Sequence, residues 1–347
     1  MSVAFLASRY SFGGGEHVMQ LLIKSIASCG ESVTVLTWEE EWRNAPFFEN
    51  VKVVVLKYKP IGVLGKVRAI YELFFALRKG RFSSLVVFSL YLAEVAVFSA
   101  RAAKVKLVLS ERVDPRFLPK EPIHRLLRLF VYFFSKVIVF QTESNRLYYH
   151  PVISKKGTVI GNPVIPRVGA TNQDKEKWVI AAGRLSEEKN FRLLIEAFKK
   201  ANLDGYTLHI YGEGEQEREL REFISKNDLV DTVFLEGHVK DISEILLKGD
   251  IFVLSSNHEG MPNVLIEAMM CGVACVATDV PSHAVRTLIT HDFNGLITKV
   301  GDVREMSDSI RRLALDRSLN ALVRKNATQV SSIYCIDKIV QEWRAVL

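Results

Sequence analysis

The sequence contains no Asp-x-Asp triplet, no CxxC pair and no apolar run of the eighteen or so residues needed to cross a bilayer. Each absence removes a class of protein. The four cysteines (Cys29, Cys271, Cys275 and Cys335) have no His partner at zinc-ligand spacing, which sets aside a zinc site and a disulfide framework. They read as small buried hydrophobes in a reducing compartment. The missing Asp-x-Asp argues against a divalent cation doing the electrostatic work on a phosphate. The first residues, MSVAFLASRY, show no charged n-region, long apolar core or small-residue cleavage site. The expectation is therefore a cytosolic protein.

What is present is a large, unevenly charged chain. With 347 residues, 48% hydrophobic and 24% charged, it can bury a large core and should divide into two domains. Residues 1–165 hold 23 Lys/Arg against 12 Asp/Glu, while residues 166–347 hold 23 against 27. Two basic, apolar segments lie in the first half, LGKVRAIYELFFALRKGRF (64–82) and HRLLRLFVYFFSK (124–136). Helical spacing sets Lys66, Arg78, Lys79 and Arg81 around an apolar body, as suits a helix resting on anionic lipid. A core-facing helix with a solvated basic edge fits the same pattern. No nucleic-acid partner is expected, because no recognition motif accompanies the charge.

Short β-branched runs without clean alternation, SVAFLA, SVTVLT, VKVVVL, SLVVFS, VKLVLS and KVIVFQ, read as strands buried on both faces of a parallel sheet. Around 161–177 Pro, Gly and polar residues interrupt the pattern. The alternation then restarts with KWVIAAG, YTLHIYG, TVFLEG, DIFVLSS and VACVAT, between helices expected to begin near Lys189, Glu215, Ile242, Asn263 and Val303. The expected architecture is two Rossmann-like, doubly wound α/β domains, 1–163 and 164–330, with a last helix in 331–347 packing back on the first. Ligands of such sheets bind beyond the carboxyl ends of the strands, here in an interdomain cleft.

Three strand-to-helix junctions carry candidate chemistry. After the first strand, Gly13, Gly14 and Gly15 permit close backbone approach, and a helix expected to start near Glu16 aims its free N–H groups at the same spot. The pattern is not GxGxxG and no acid closes the second strand, so a dinucleotide site is not indicated; a tight turn without a ligand stays open. In AAGRLSEEKNFRLLIEAF, Arg184 follows the strand-ending Gly183 and Lys189 stands at the helix start, so the two cations can converge on one diphosphate. In SSNHEGMPNVLIEAMMCG, Glu259 lies in a loop and Glu267 on an otherwise apolar helix opened by Pro262 and Asn263. A carboxylate on such a helix needs hydrogen-bond donors that the sequence itself does not supply. The N–H groups of Val264 and Leu265 are candidate phosphate donors between the two carboxylates.

Glu259 and Glu267, within HEGMPNVLIEAMMCG, resemble the E-x7-E motif of the retaining GT-B glycosyltransferases of family 4. The resemblance covers nearly the whole chain, through GGGEHV, GRLSEEKNFRLLIEAF, LEGHVKDISEILLKGDIFVLSS and NGLITKVGD. It implies an N-terminal acceptor-binding domain and a C-terminal donor-binding domain for a nucleotide-sugar, UDP-linked by expectation. Glu267 would hold the ribose, Glu259 the transferred sugar, and Arg184 with Lys189 the diphosphate. Gly183, Gly260, Met261, Pro262, Asn263, Val264 and Leu265 would complete the donor site. LSERVDPRF resembles the Ser-Glu-Arg-Asn-Asp-Pro segment of bacterial members that extend polysaccharides on lipid carriers, with Val113 in place of Asn. Arg112 and Asp114 are then acceptor candidates beside Gly13, Gly14, Gly15 and Glu16, and a local ion pair between them is the plain alternative. No metal or other cofactor is expected, only the nucleotide-sugar as co-substrate. The implied activity is sugar transfer, with retention, to a glycan or lipid-linked acceptor in cell-surface polysaccharide synthesis at the inner membrane face. A nucleotide-sugar 2-epimerase of the same fold and a non-catalytic partner subunit are the rival readings. A two-domain solute-binding protein would need the secretion signal that the opening residues lack.

Overall fold

The computed structural model describes residues 2–7, 14–44, 51–165 and 175–347. They form two α/β units, Met1–Pro163 with Ile336–Leu347, and Val164–Cys335. In the first, β1 (Ser2–Ala7), β2 (Ser32–Thr37), β3 (Lys52–Val55), β4 (Ser84–Val87), β5 (Lys106–Ser110), β6 (Val137–Phe140) and β7 (Gly157–Val159) pair in parallel in the order β3-β2-β1-β4-β5-β6-β7. In the second, β8 (Glu176–Ala182), β9 (Thr207–Tyr211), β10 (Val233–Gly237), β11 (Gly249–Leu254), β12 (Ala274–Thr278) and β13 (Leu296–Thr298) pair in the order β10-β9-β8-β11-β12-β13. Strand order reverses between β1 and β4 in one sheet and between β8 and β11 in the other. Helices cover these sheets, which is why β11 is buried at every residue and the strand sequences do not alternate.

Four long helices of the first unit are α1 (Gly14–Ser28), α2 (Gly62–Gly80), α3 (Leu90–Ala103) and α4 (Pro122–Phe134). Its core joins Leu36, Leu85 and Leu107 of the sheet to Leu73, Leu77 and Val95 of α2 and α3. The second core joins Val179, Leu208, Ile251 and Val276 to Leu194, Ile195 and Phe198, the apolar stripe of helix Phe191–Ala201. Helices begin at Ile242, Asn263 and Val303 as the pattern indicates, but at Phe191 instead of Lys189 and at Glu217 instead of Glu215. Asn190 explains the first shift. It takes the left-handed conformation (φ 48°), and its side chain accepts the N–H of Leu193 at 3.3 Å, so the chain becomes helical only after it. Lys189 is thereby left in the loop.

The return to the first unit comes at Ile336, not at residue 331. Ser331–Tyr334 forms a short helix, and Val164 pairs with Cys335, its N–H donating to the Tyr334 carbonyl at 3.0 Å. Only then does helix Ile336–Val346 pack on α1. Arg344 reaches Glu31 at 2.8 Å, Ser84 donates to the Leu347 carbonyl, and the Trp343 ring lies 5.7 Å from that of Phe88 with no exposed surface. Trp343→Ala should therefore destabilise the first unit by about 3–5 kcal/mol in urea unfolding. A loss below about 1 kcal/mol would mean that the C-terminal helix is dispensable to it.

Candidate functional site

In the second sheet the loops leaving β8 and β11 open side by side, because these strands are neighbours at the reversal of strand order. That is where open α/β sheets bind ligands. Two glycines set the floor. Gly183 directly follows β8 and donates its N–H to the Tyr211 carbonyl at 2.9 Å, while a Cβ on Gly212 (φ 138°) would stand 1.9 Å from the Gly183 oxygen. Only glycine permits that approach. The Lys189 side chain lies across Gly183, 3.3 Å from where a Cβ would be, and its ammonium donates to Glu259 Oε1 at 2.5 Å.

Glu259 is 7% and Lys189 19% exposed in the side chain, so this is a nearly dry ion pair. Ser256 Oγ donates to the same carboxylate oxygen at 2.7 Å, and the Thr278 hydroxyl holds the Ser256 carbonyl at 2.6 Å. The two loops are also laced directly. The Asn257 N–H donates to the Glu188 carbonyl at 2.8 Å and its amide to the Glu187 carbonyl at 2.9 Å. Asn190 Nδ2 donates to Asn257 Oδ1 at 2.9 Å, and Ser255 Oγ to the Lys189 carbonyl at 2.8 Å. Arg184 is exposed and makes no ion pair among the described residues. Gly260 follows Glu259 half-buried, and Met261 and Pro262 are buried.

Helix Asn263–Met270 starts after Pro262 as its N-cap. The two candidate phosphate donors on it differ. The Leu265 N–H already donates to the Pro262 carbonyl at 3.1 Å, so the expectation of a free donor there is corrected, whereas no such bond occupies Val264 among the described residues. Asn263 is half-buried at the helix start. Glu267, on the second turn, is half-buried, and its carboxyl has no hydrogen bond among the described residues. Burial, helped by the like charge of Asp241, pushes its pKa up to about 7. A cavity of about 530 Å³ lies at the opposite end of the sheet, where Lys175, Tyr206 and Asp250 stand at the strand starts. It is remote in topology from the β8 and β11 loops.

In the first unit, Gly14 and Gly15 are the opening residues of α1, not a turn ahead of it, and Glu16 is half-buried in the first turn. Gly13 lies outside the described residues. A Cβ on Gly15 would sit 4.0 Å from the Arg112 side chain, so the β1 and β5 junctions meet. Arg112 does not pair with Asp114. Its guanidinium stacks on Phe88 at 4.1 Å and nears Trp343 at 5.7 Å, and Nη1 donates to Asn162. Nε and Nη2 are buried without a hydrogen-bond partner, and burial pulls the pKa down to about 9. Asp114 turns to Arg116, accepting its N–H at 3.0 Å and its guanidinium at 3.1 Å. Arg112 is thus a half-buried residue whose guanidinium has no carboxylate partner among the described residues.

Residues 167–330 match the family model of glycosyl transferases group 1. The chain is 24% identical to an uncharacterized glycosyltransferase of Haemophilus influenzae, over 99% of this chain and 98% of that one. It is 26% identical, over 99% and 97% of the two chains, to a Campylobacter jejuni protein named as an alpha-1,4-N-acetyl-D-galactosaminyltransferase acting on an undecaprenol diphosphate-linked glycan. The second unit carries a glycosyl transferases group 1 domain. The fold is GT-B. Anabaena HepE, solved in complex with UDP, superposes with a TM-score of 0.85 at 18% identity, covering 100% of this chain and 99% of that one.

Within this glycosyltransferase domain, sequence reasoning missed Ser256, Asn190, Asn257 and Gly212. The polar run Ser255-Ser256-Asn257 directly after the apolar residues Ile251–Leu254 is the signal that was available for two of them. Gly212, by contrast, is explained only by a contact with a strand that is distant in sequence.

The Glu267 carboxyl supplies a pH test. The unfolded side chain ionises near 4.5 and the folded one near 7. Between these values the unfolded chain has lost a proton that the folded chain keeps, so stability falls as pH rises through the window and levels off above it. Glu267→Gln should remove that fall. Its advantage over the wild type in urea unfolding should grow from pH 5 to pH 8, by up to about 3 kcal/mol. An equal advantage at both pH values would contradict the buried, proton-holding carboxyl.

Proposed function

We propose that this glycosyltransferase moves a sugar from a UDP-sugar, with retention at the anomeric carbon and without a metal, onto a glycan or lipid-linked acceptor of cell-surface polysaccharide synthesis. The observation that carries the reading is the Lys189–Glu259 pair with Ser256, held over Gly183 where β8 and β11 diverge. Cleaving the bond between anomeric carbon and phosphate puts positive charge on the sugar and negative charge on the departing diphosphate. Lys189 and the exposed Arg184 supply cations for the diphosphate, and the Val264 N–H a neutral donor. Glu259, already carrying two hydrogen bonds on one oxygen, keeps the other for a sugar hydroxyl. Glu267, whose carboxyl lacks donors, would accept hydrogen bonds from ribose hydroxyls and be ionised by them. The UDP in the HepE structure and the diphosphate-linked glycan in the Campylobacter name favour these ligand classes.

On the acceptor side, Arg112 has two N–H groups unpaired and no counter-ion, and an acceptor phosphate would answer both. Gly14, Gly15 and Glu16 at the start of α1 complete that side of the reading.

The test is nucleotide release and transfer by the purified protein against a panel of UDP- and GDP-sugars with EDTA present, using a lipid-diphosphate glycan as acceptor. One UDP-sugar should be turned over, and Lys189→Ala and Glu267→Ala should each lower kcat/KM by about 100-fold or more. Unfolding curves of the same variants separate lost chemistry from a lost fold, since breaking a buried ion pair is itself costly. Turnover that requires added Mg²⁺, or variants as active as the wild type, would overturn the donor-site assignment.

A further inference from the structure

The first unit carries a surface outside the residues of the proposed transfer site. On α2, Val63, Leu64, Val67, Tyr71 and Phe75 are exposed on the side opposite the buried Ala69, Leu73 and Leu77. On α4, Ile123, Leu126, Leu129, Phe130, Phe133 and Phe134 are exposed opposite the buried Arg128, Val131 and Tyr132. Val63 is 80% and Leu126 63% open to solvent. α3 joins the two. Ser99 donates to the Ile70 carbonyl of α2 at 2.9 Å, and Phe98 stacks on Phe130 of α4 at 5.7 Å. Exposed apolar side chains thus recur along two of three packed helices instead of standing singly, as isolated surface hydrophobes do.

Its charge decides the occupant. The three helices hold seven Lys/Arg against two Glu. Both acids are already engaged: Glu94 is buried against Lys66 and His124, and Glu72 accepts the backbone N–H groups of Lys57 and Tyr58. Arg68, Arg78, Lys79, Arg101 and Arg125 remain exposed around the apolar side chains. A second copy docking through the same patch would face these cations with their own kind, because a two-fold interface sets a surface against itself. A polyanion such as nucleic acid would match the charge and leave the apolar area wet. A bilayer with anionic headgroups satisfies both, with aromatic and aliphatic side chains at the acyl boundary and Lys/Arg at the phosphates.

We propose that the α2–α3–α4 face is a monotopic membrane-docking surface for anionic lipid, with Leu126, Phe130, Phe133, Leu64 and Tyr71 as its inserting side chains. This does not rest on the glycosyl-transfer reading, since the surface is defined by exposure and charge alone. No helix among the described residues is long and apolar enough to cross a membrane, so attachment here would be from one side.

The experiment is flotation of the whole chain with phosphatidylcholine vesicles and with vesicles containing phosphatidylglycerol, without nucleotide or acceptor, beside light scattering of the lipid-free protein. The wild type should float with the anionic vesicles and at least tenfold less with the neutral ones, and salt should reduce recovery. Leu126→Ser with Phe133→Ser should lower recovery at least tenfold while leaving the thermal unfolding curve in place, because both side chains face outward. Lys79→Glu with Arg125→Glu should abolish the preference for anionic lipid. Failure to float, equal flotation with both vesicles, or recovery unchanged in both double variants would overturn the proposal. A dimer in light scattering that dissociates in the Leu126→Ser/Phe133→Ser variant would assign the face to a second copy instead.

Discussion

A nearly dry ion pair between Lys189 and Glu259 fixes the geometry of the loops that leave β8 and β11. A charge pair taken out of water recovers its desolvation cost only with good geometry and additional hydrogen bonds. Here Ser256 supplies one of those bonds, and backbone and amide bonds through Asn257 and Asn190 hold the two loops in register. Under the proposed function, a diphosphate would compete for the ammonium and a sugar hydroxyl for the carboxylate. Substrate binding in the proposed reaction would then exchange one set of partners for another.

The first unit holds its cation differently. Arg112 lacks a carboxylate and is kept by two aromatic faces and one amide oxygen. Phe88 follows β4, Asn162 stands one residue before the end of the unit's main segment, and Trp343 comes from the C-terminal helix, so three distant parts of the chain converge on one guanidinium. Such a group is costly to leave buried and unpaired. The C-terminal helix is thus more than a clasp, because it supplies one wall of the surroundings of Arg112.

Much of the fold is legible in the sequence because the central strands are continuous β-branched runs. β1 and β2 coincide with SVAFLA and SVTVLT to the residue. The short edge strands β7 and β13, three residues each, escape because GTV and LIT carry too little pattern to stand out. The candidate residues Lys189, Glu259 and Glu267 also stand out in the sequence by residue type and position. What was not legible depends on contacts between residues far apart in sequence. That Lys189 meets Glu259, that Arg112 turns from Asp114 to Phe88, and that Gly212 is required by Gly183 are facts of strand adjacency, which a residue run does not encode. The outward apolar side chains of α2 and α4 belong to the same class. Periodicity reveals an amphipathic helix, but only packing tells which stripe the core has taken.

The most direct test of the exchange is a crystal structure of the protein with UDP bound. The account predicts the Lys189 ammonium within hydrogen-bonding distance of a diphosphate oxygen, the Glu267 carboxylate accepting from the ribose, and the Glu259 contact to Lys189 lengthened or lost. A diphosphate bound elsewhere, with the Lys189–Glu259 pair still closed at its present 2.5 Å, would contradict it.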